Sequence, residues 1–303
     1  MQILLIFMNK KKMNPIPESE LILNPDGSIY HLNIRPDMIA DTIITVGDPE
    51  RVSEVSKYFD SIECKVAKRE FVTHTGYLNN KRLSVLSTGI GTDNIDIVLN
   101  ELDACANIDF KTRMPNPVPK SLKIIRVGTS GSLQNHIALD DIIVSSHGIG
   151  LDNLANFYLL ENDIEETFII EKFKKEVLSS PFTSSPYIAK ASKTLLNTIG
   201  KDYKQGITLT CPGFYGPQGR KLRLTPRFQQ LNSNATKFKF EQHQITNFEM
   251  ETAGIYAMGE LLGHECLSVS VIMAHRIQNT FSKTPAQSIQ KMIEEILEKV
   301  STL

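Results

Sequence analysis

The chain has no tryptophan, only four cysteines, almost no net charge and no long apolar run. Each shortage removes a class of protein. Cys64, Cys105, Cys211 and Cys266 lie far apart and form no C-x-x-C or Cys/His metal spacing. A disulfide framework is not expected. Free thiols in a reducing compartment are the simplest reading, so a cytoplasmic location is expected. Lys plus Arg total 33 and Asp plus Glu 34, a formal charge of -1, which gives no reason to expect nucleic acid or an anionic membrane as partner. The apolar stretch Ile3 to Met8 is too short to span a bilayer. Its lysines follow the stretch instead of preceding it, against the order of a signal peptide. Residues 1–20 therefore read as an over-long start or a frayed tail, and residues 21–303 as one domain.

What is present is a repeated plan of short apolar strand, glycine turn and helix. With 303 residues, 41% of them hydrophobic, a sizeable core is available. "DTIITVGDPERVSEVSKYF" gives a strand at Thr42 to Val46, a turn at Gly47-Asp48-Pro49, and a helix with proline in its first turn. A second strand falls near Leu83 to Ser87, followed by a helix carrying Ile95, Val98, Leu99 and Leu102. "SLKIIRVGTSGSLQ" gives a third strand, ending in a glycine turn. "DDIIVSSHGIG", "QGITLTCPGFYG" and "LSVSVIMAHRI" give three more. Helical patterns fill the intervals at Phe168 to Leu178, Ile188 to Ile199, Glu249 to Leu262 and Pro285 to Val300. Residues 111–121 hold three prolines and read as an exposed loop. Residues 224–244 are polar and read as a flap or a short helix with loops. Strands alternating with helices predict an α/β fold, a largely parallel sheet flanked by helices. Ligand crevices in such sheets form at the carboxyl ends of strands, where Gly47, Thr88-Gly89, Gly128-Thr129 and Phe214-Tyr215 fall.

Three fragments at those ends offer an anion its usual partners. "GDPERV" supplies Gly47 and Arg51, "REF" supplies Arg69 and Glu70, and "RVGTSG" supplies Arg126, Thr129 and glycine-loop amides. Arginine forks, hydroxyls and loop amides suit a tetrahedral oxyanion such as phosphate. Any one of these arginines, taken alone, is more often a surface charge or an ion-pair partner. In "NFEMETAGIYAM", Glu249 and Glu251 flank Met250 at the head of an apolar helix. They can serve as helix caps, or Glu251 can accept bonds from two adjacent sugar hydroxyls. In "GFYGPQGRKL", Gln218 and Arg220 can read a ring N–H flanked by carbonyls, with Phe214 stacked on the ring. The alternative is an ordinary solvated loop.

"GDPERV", "REF", "STGIG", "RVGTSG", "FYGPQGR" and "NFEMET", in that order from about His31 onward, resemble the nucleoside phosphorylase family. That family includes uridine phosphorylase, hexameric purine nucleoside phosphorylase and methylthioadenosine nucleosidase. The resemblance implies an α/β domain around a mixed, partly barrel-like sheet. It implies phosphate ligands at Gly47, Arg51, Arg69, Arg126 and Thr129, and a ribose pair at Met250 and Glu251. It also implies that His31 reaches the sugar's 5' hydroxyl in a neighbouring subunit and that Arg69 crosses the same interface. The active unit would be a homodimer, within a hexamer built as a trimer of dimers.

The pyrimidine branch is implied by Phe214, Gln218 and Arg220, which match the uracil-reading set of uridine phosphorylase. An aspartate that protonates purines is missing, since "VIMAHRI" offers only Ala274 or His275 there. The implied reaction is phosphorolysis of uridine, with deoxyuridine and thymidine as further candidates, to uracil and the sugar 1-phosphate. Inorganic phosphate is the co-substrate and no organic cofactor is expected. Arg126, Arg220 and Glu251 would carry catalysis. Two departures stand out. Thr92-Asp93-Asn94 replaces a glycine, proline and serine, placing Asp93 near the phosphate. Glu70 matches a monovalent-cation ligand whose serine partner is here Asn94, so a cation is doubtful. A hydrolytic nucleosidase and a non-catalytic nucleoside-binding relative are the competing readings.

Overall fold

The structure, a computed structural model, describes residues 14–178 and 185–303. Strand β1 (Thr42–Val46) turns into helix α1 (Pro49–Ser56), and a meander of β2 (Ser61–Lys68), β3 (Phe71–Leu78) and β4 (Lys81–Ser87) leads to α2 (Thr92–Asn107). A ribbon of β5 (Ile108–Asp109) and β6 (Met114–Pro115) precedes the long β7 (Lys123–Ser132) and β8 (Ile142–Gly150). Then come α3 (Ile164–Glu176), β9 (Tyr187–Lys190), α4 (Lys193–Thr198), β10 (Lys204–Thr210), α5 (Leu231–Lys237) and β11 (Lys239–Phe240). The chain finishes with β12 (His243–Glu249), α6 (Thr252–Leu262), β13 (Glu265–His275), β14 (Thr280–Phe281) and α7 (Pro285–Ser301).

The sheet is mixed and closes on itself. Its order runs β11-β12-β10-β8-β13-β7-β1-β4-β3-β2, and β7 also pairs with β12 through Asn247↔Ser132 and Phe248↔Gly131. That return contact turns β12, β10, β8, β13 and β7 into a five-strand barrel. Closure needs long, bent strands. β7 and β13 have ten and eleven residues, and their ladder is bulged between Ile272 and Ala274. A bulge sharpens local twist and re-aims side chains, here beside the barrel mouth. The helices cover a continuous core that includes Ile44, Val85, Leu99, Ile125, Ile255 and Ile296. A second cluster around Ile149, Phe173, Phe238 and Phe248 lies under α3 and α5. Among the described residues no helix is long and apolar enough to cross a membrane.

Several expectations change. β7 does not stop at a turn. It runs through Gly128 to Ser132, because β13 and β12 offer backbone partners there. Tertiary pairing overrides the glycines' weak strand preference, and the stretch is sheet, not a free loop of amides. The helix expected at 188–199 is a strand, β9, antiparallel to β8, followed by the short α4 capped by Ser192. α6 begins at Thr252, with Glu249 as the last residue of β12. α3 begins at Ile164, where Asp163 and Glu166 form a capping box. Strands β2, β3 and β12 went unpredicted. β2 is mostly exposed and polar, so it shows no apolar alternation. Of the expected tail, residues 1–13 lie outside the described residues, while Ile16 exchanges bonds with Arg113 at 2.9 and 2.7 Å.

Candidate active site

A cavity of about 700 Å³ opens at the barrel mouth, where β1, β4, β7, β12 and β13 end. Gly47, Arg51, Glu70, Arg126, Thr129, Phe214, Gln218, Arg220, Met250 and Glu251 all line it. A cavity of about 790 Å³ lies elsewhere, between the segment around Asp26 to Asp41 and the 105–122 region. Convergent charges at strand ends single out the first.

Arg126 lies mid-strand, and its side chain folds back along β7. A Cβ at Gly128 would lie 1.9 Å from its Nη1, so only glycine at the i+2 position leaves this path open. Two carboxylates then grip the guanidinium. Nη2 lies 2.5 Å from Glu251 Oε2 and 3.2 Å from Glu249 Oε2, and Nη1 donates to Ser270 Oγ at 3.3 Å. All three charged groups are buried. Burial works against the Arg126 charge, but Glu249 and Glu251 outweigh it and hold the guanidinium above its usual range. Burial raises the Glu251 carboxyl above its ordinary value, only partly offset by Arg126. Both readings of Arg126 thus have a basis: it is ion-paired, and it faces the cavity.

The two glutamates divide their work. Glu249 Oε2 accepts the N–H groups of Glu251 and Thr252, both at 2.9 Å. It caps α6 in place of the N-cap residue, Glu251, which makes no capping bond. Glu251 is thereby free to turn to the cavity, where Oε1 accepts the Gly91 N–H at 2.7 Å. The capping reading fits Glu249, which also lines the cavity. Its signal was the E-x-E spacing across a strand-to-helix junction.

Near Arg126 lie Gly47 at the end of β1, Arg51 in the first turn of α1, and Thr129 in β7. Burial lowers the Arg51 pKa, and the neighbouring Arg126 adds to the effect against Asp48. Ser130 lines the same wall, its hydroxyl buried with no hydrogen-bond partner within the described chain.

The other end is a loop. Gly216–Gln218 make one 3₁₀ turn, closed by Gly219 in the left-handed region at φ 67°. Arg220 Nη1 donates to Gln218 Oε1 at 2.6 Å and to the Phe214 carbonyl at 2.7 Å. Its guanidinium lies 3.6 Å from the Phe214 ring centroid. An arginine can bond only the oxygen of the amide, so Gln218 is oriented with Nε2 as its other end. Arg276 Nη1 donates to the Gln218 carbonyl at 3.0 Å. Burial, with Arg276 nearby, brings the Arg220 pKa down to about 10. Ala274 lines the cavity and His275 does not, so no acidic side chain stands on that wall of β13.

Two expected residues do not join this cavity. Arg69 is exposed in the two-residue turn between β2 and β3, in the left-handed region at φ 55°. His31 is half-buried, with Nδ1 2.6 Å from Glu101 Oε1. Asp93 is exposed and outside the cavity, which removes the expected repulsion. Asn94 does line it and donates to Glu70 Oε1 at 3.2 Å, filling with an amide donor the place where a cation was in question.

The chain belongs to the Phosphorylase superfamily, whose family model matches residues 41–302, in its nucleoside phosphorylase branch, and is an enzyme of the pentosyltransferase class. A uridine phosphorylase of Thermococcus kodakarensis is 28% identical over 85% of this chain and 81% of its own length. A DeoD-type purine nucleoside phosphorylase of Buchnera aphidicola is 26% identical over 90% of this chain and 99% of its own. The crystal structure of a Trypanosoma brucei nucleoside phosphorylase, described as showing uridine phosphorylase activity, superimposes with a TM-score of 0.86 at 28% identity. It covers 94% of this chain and 100% of that one.

Proposed function

We infer that this enzyme catalyses phosphorolysis of uridine to uracil and ribose 1-phosphate. One observation carries the reading. A single cavity holds Arg51, Arg126 and Thr129 at one end, Phe214, Gln218 and Arg220 at the other, and Glu251 between them. Relatives of similar identity act on pyrimidine and on purine nucleosides, so the base end decides. Gln218 presents Nε2–H and a spare lone pair of Oε1, and Arg220 presents further N–H groups. Together they meet the acceptor, donor, acceptor edge of uracil. Cytosine reverses two of those roles, and a site built for hydrogen bonds rejects a ligand that leaves them unmade. No carboxylic acid stands where a purine leaving group would need protonation.

The mechanism follows. Phosphate held by the Gly47 amide, Arg51, Arg126 and Thr129 attacks C1' as the bond from C1' to the base N1 breaks. The sugar gains oxocarbenium character, and the bonding pair moves onto the uracil carbonyls. Arg220 and Gln218 stabilise that anion, which is electrostatic preorganisation. Glu251 and Met250 fix the ribose so that the attack is in line. Solvent protonates the departing uracil. Deoxyuridine and thymidine are further candidate substrates, and the role is pyrimidine salvage in the cytoplasm.

The active unit is a homodimer, and three dimers assemble into a hexamer. His31 and Arg69 lie outside their own subunit's cavity, and the lining residues Ile90 and Phe214 are exposed. A second copy would supply both residues and cover the mouth. Mixing equal amounts of Arg69→Ala and Arg126→Ala protein would then restore one of the two sites in each mixed dimer, about a quarter of all sites after random subunit exchange. No restoration after subunit exchange would refute the shared site. The reaction itself is tested by phosphorus NMR. Conversion of inorganic phosphate to a sugar phosphate with uridine, but not inosine or cytidine, is expected. Equal conversion of inosine would move the assignment to the purine branch.

A further inference from the structure

We propose that Glu249 is a positioning residue, which fastens Arg126 and the start of α6 together so that the anion-binding guanidinium and Glu251 keep a fixed relation. This inference rests on the phosphorolysis reading for its kinetic meaning. It rests on geometry for its existence.

Glu249 is buried, with 4% of its surface exposed, and its carboxylate has four protein donors around it. Oε1 accepts the Thr210 hydroxyl at 2.6 Å. Oε2 accepts the Glu251 and Thr252 N–H groups and lies 3.2 Å from Arg126 Nη2. Thr210 Oγ1 in turn accepts the Ala253 N–H at 2.8 Å. Two side chains therefore satisfy three successive N–H groups at the head of α6, which a helix start leaves without intrahelical partners. The same carboxylate ties β10, β12 and β7 to that helix.

Charge and position make opposite forecasts here. A carboxylate beside an anion-binding guanidinium repels phosphate. If Glu249 acted only through its charge, neutralising it would tighten phosphate binding. If it acts by position, Glu249→Gln removes the charge that grips Arg126 and sets an amide N–H₂ where a carboxylate oxygen accepted, against the Thr210 hydroxyl or against the backbone N–H groups. The head of α6 and Arg126 then lose their common anchor, and both substrates suffer.

The test is Glu249→Gln, with kcat and the KM values for phosphate and uridine measured separately, beside thermal melting. The expected result is a rise in both KM values of about tenfold or more. Thr210→Val removes the hydroxyl that holds Glu249 without changing charge. It should move both KM values the same way, by about threefold, and it carries the test if Glu249→Gln does not fold. A fall in phosphate KM, or a lowered melting temperature with both KM values unchanged, would overturn the proposal. Should the wild type turn over no nucleoside, the function reading fails on its own. Calorimetric titration with inorganic phosphate then reads the anchor directly: weaker binding in both variants supports it, and unchanged or tighter binding refutes it.

Discussion

The two ends of the cavity are built in different ways. The end around Arg126 is made of strand termini inside a closed barrel, with its three charged groups buried and braced against one another. The end around Gln218 is a surface loop, where Phe214 is 49% exposed and Arg220 lies over its ring. At the first end a substrate meets groups already held by the fold. At the second, Arg220 covers one face of the Phe214 ring. The contrast fits a division in which the barrel fixes the reaction and the loop selects the base. Loops on a rigid scaffold commonly carry such selection.

The sharpest way to break this contrast is to remove the brace. Arg126→Ala should lower kcat/KM for uridine by about 10³ or more and destabilise the fold by about 3–5 kcal/mol, because two buried carboxylates lose their cation. Steady-state kinetics with denaturant unfolding would check it, and a stable, active variant would contradict it. Gly128→Ala is the next largest. It removes no functional group, yet its Cβ would collide with Arg126 Nη1, so a loss of about 10²-fold is expected. Arg220→Ala sharpens the other side. Uridine kcat/KM should fall by about 10-fold to 10²-fold, discrimination against cytidine should narrow, and the melting temperature should stay within about 2 °C. A large melting shift would mean that the loop is structural.

The smallest expected effect is on pH dependence. Glu251 has a raised carboxyl pKa in the fold, because burial disfavours its charge. In the proposed ribose role its ionised form accepts sugar hydroxyls, so the acid limb of kcat/KM should lie above the ordinary carboxylate value of 4.5. Stability runs the other way. The folded chain holds this proton more tightly than the unfolded chain, so the group's contribution is fully present below 4.5 and is lost as pH rises through the raised value. Glu251→Gln should flatten both profiles, and an unchanged acid limb would assign it to another group.

Much of the fold was legible because buried strands such as Thr42–Val46 are runs of β-branched residues and Pro285–Ser301 has a clean helical period. The barrel was not legible from pattern alone. It depends on β7 continuing through Gly128 to Ser132, which only its partners β12 and β13 dictate. The exposed β2 and the break between β9 and α4 were lost for the same reason, since pairing across the sheet leaves little local trace. In the site, residue types and strand ends pointed to Arg51, Arg126 and Gln218, which the fold brings to one cavity. Capping was one open reading of Glu249 and Glu251; which of the two caps was hidden, because the bonds reach backward from α6 to the last residue of a preceding strand that the pattern does not show.

The most direct test of the central claim is uracil release from uridine, followed by ultraviolet absorbance with and without inorganic phosphate. The account predicts release that depends on phosphate, with cytidine and inosine left intact. Release at the same rate without phosphate would contradict it and make the enzyme a hydrolase.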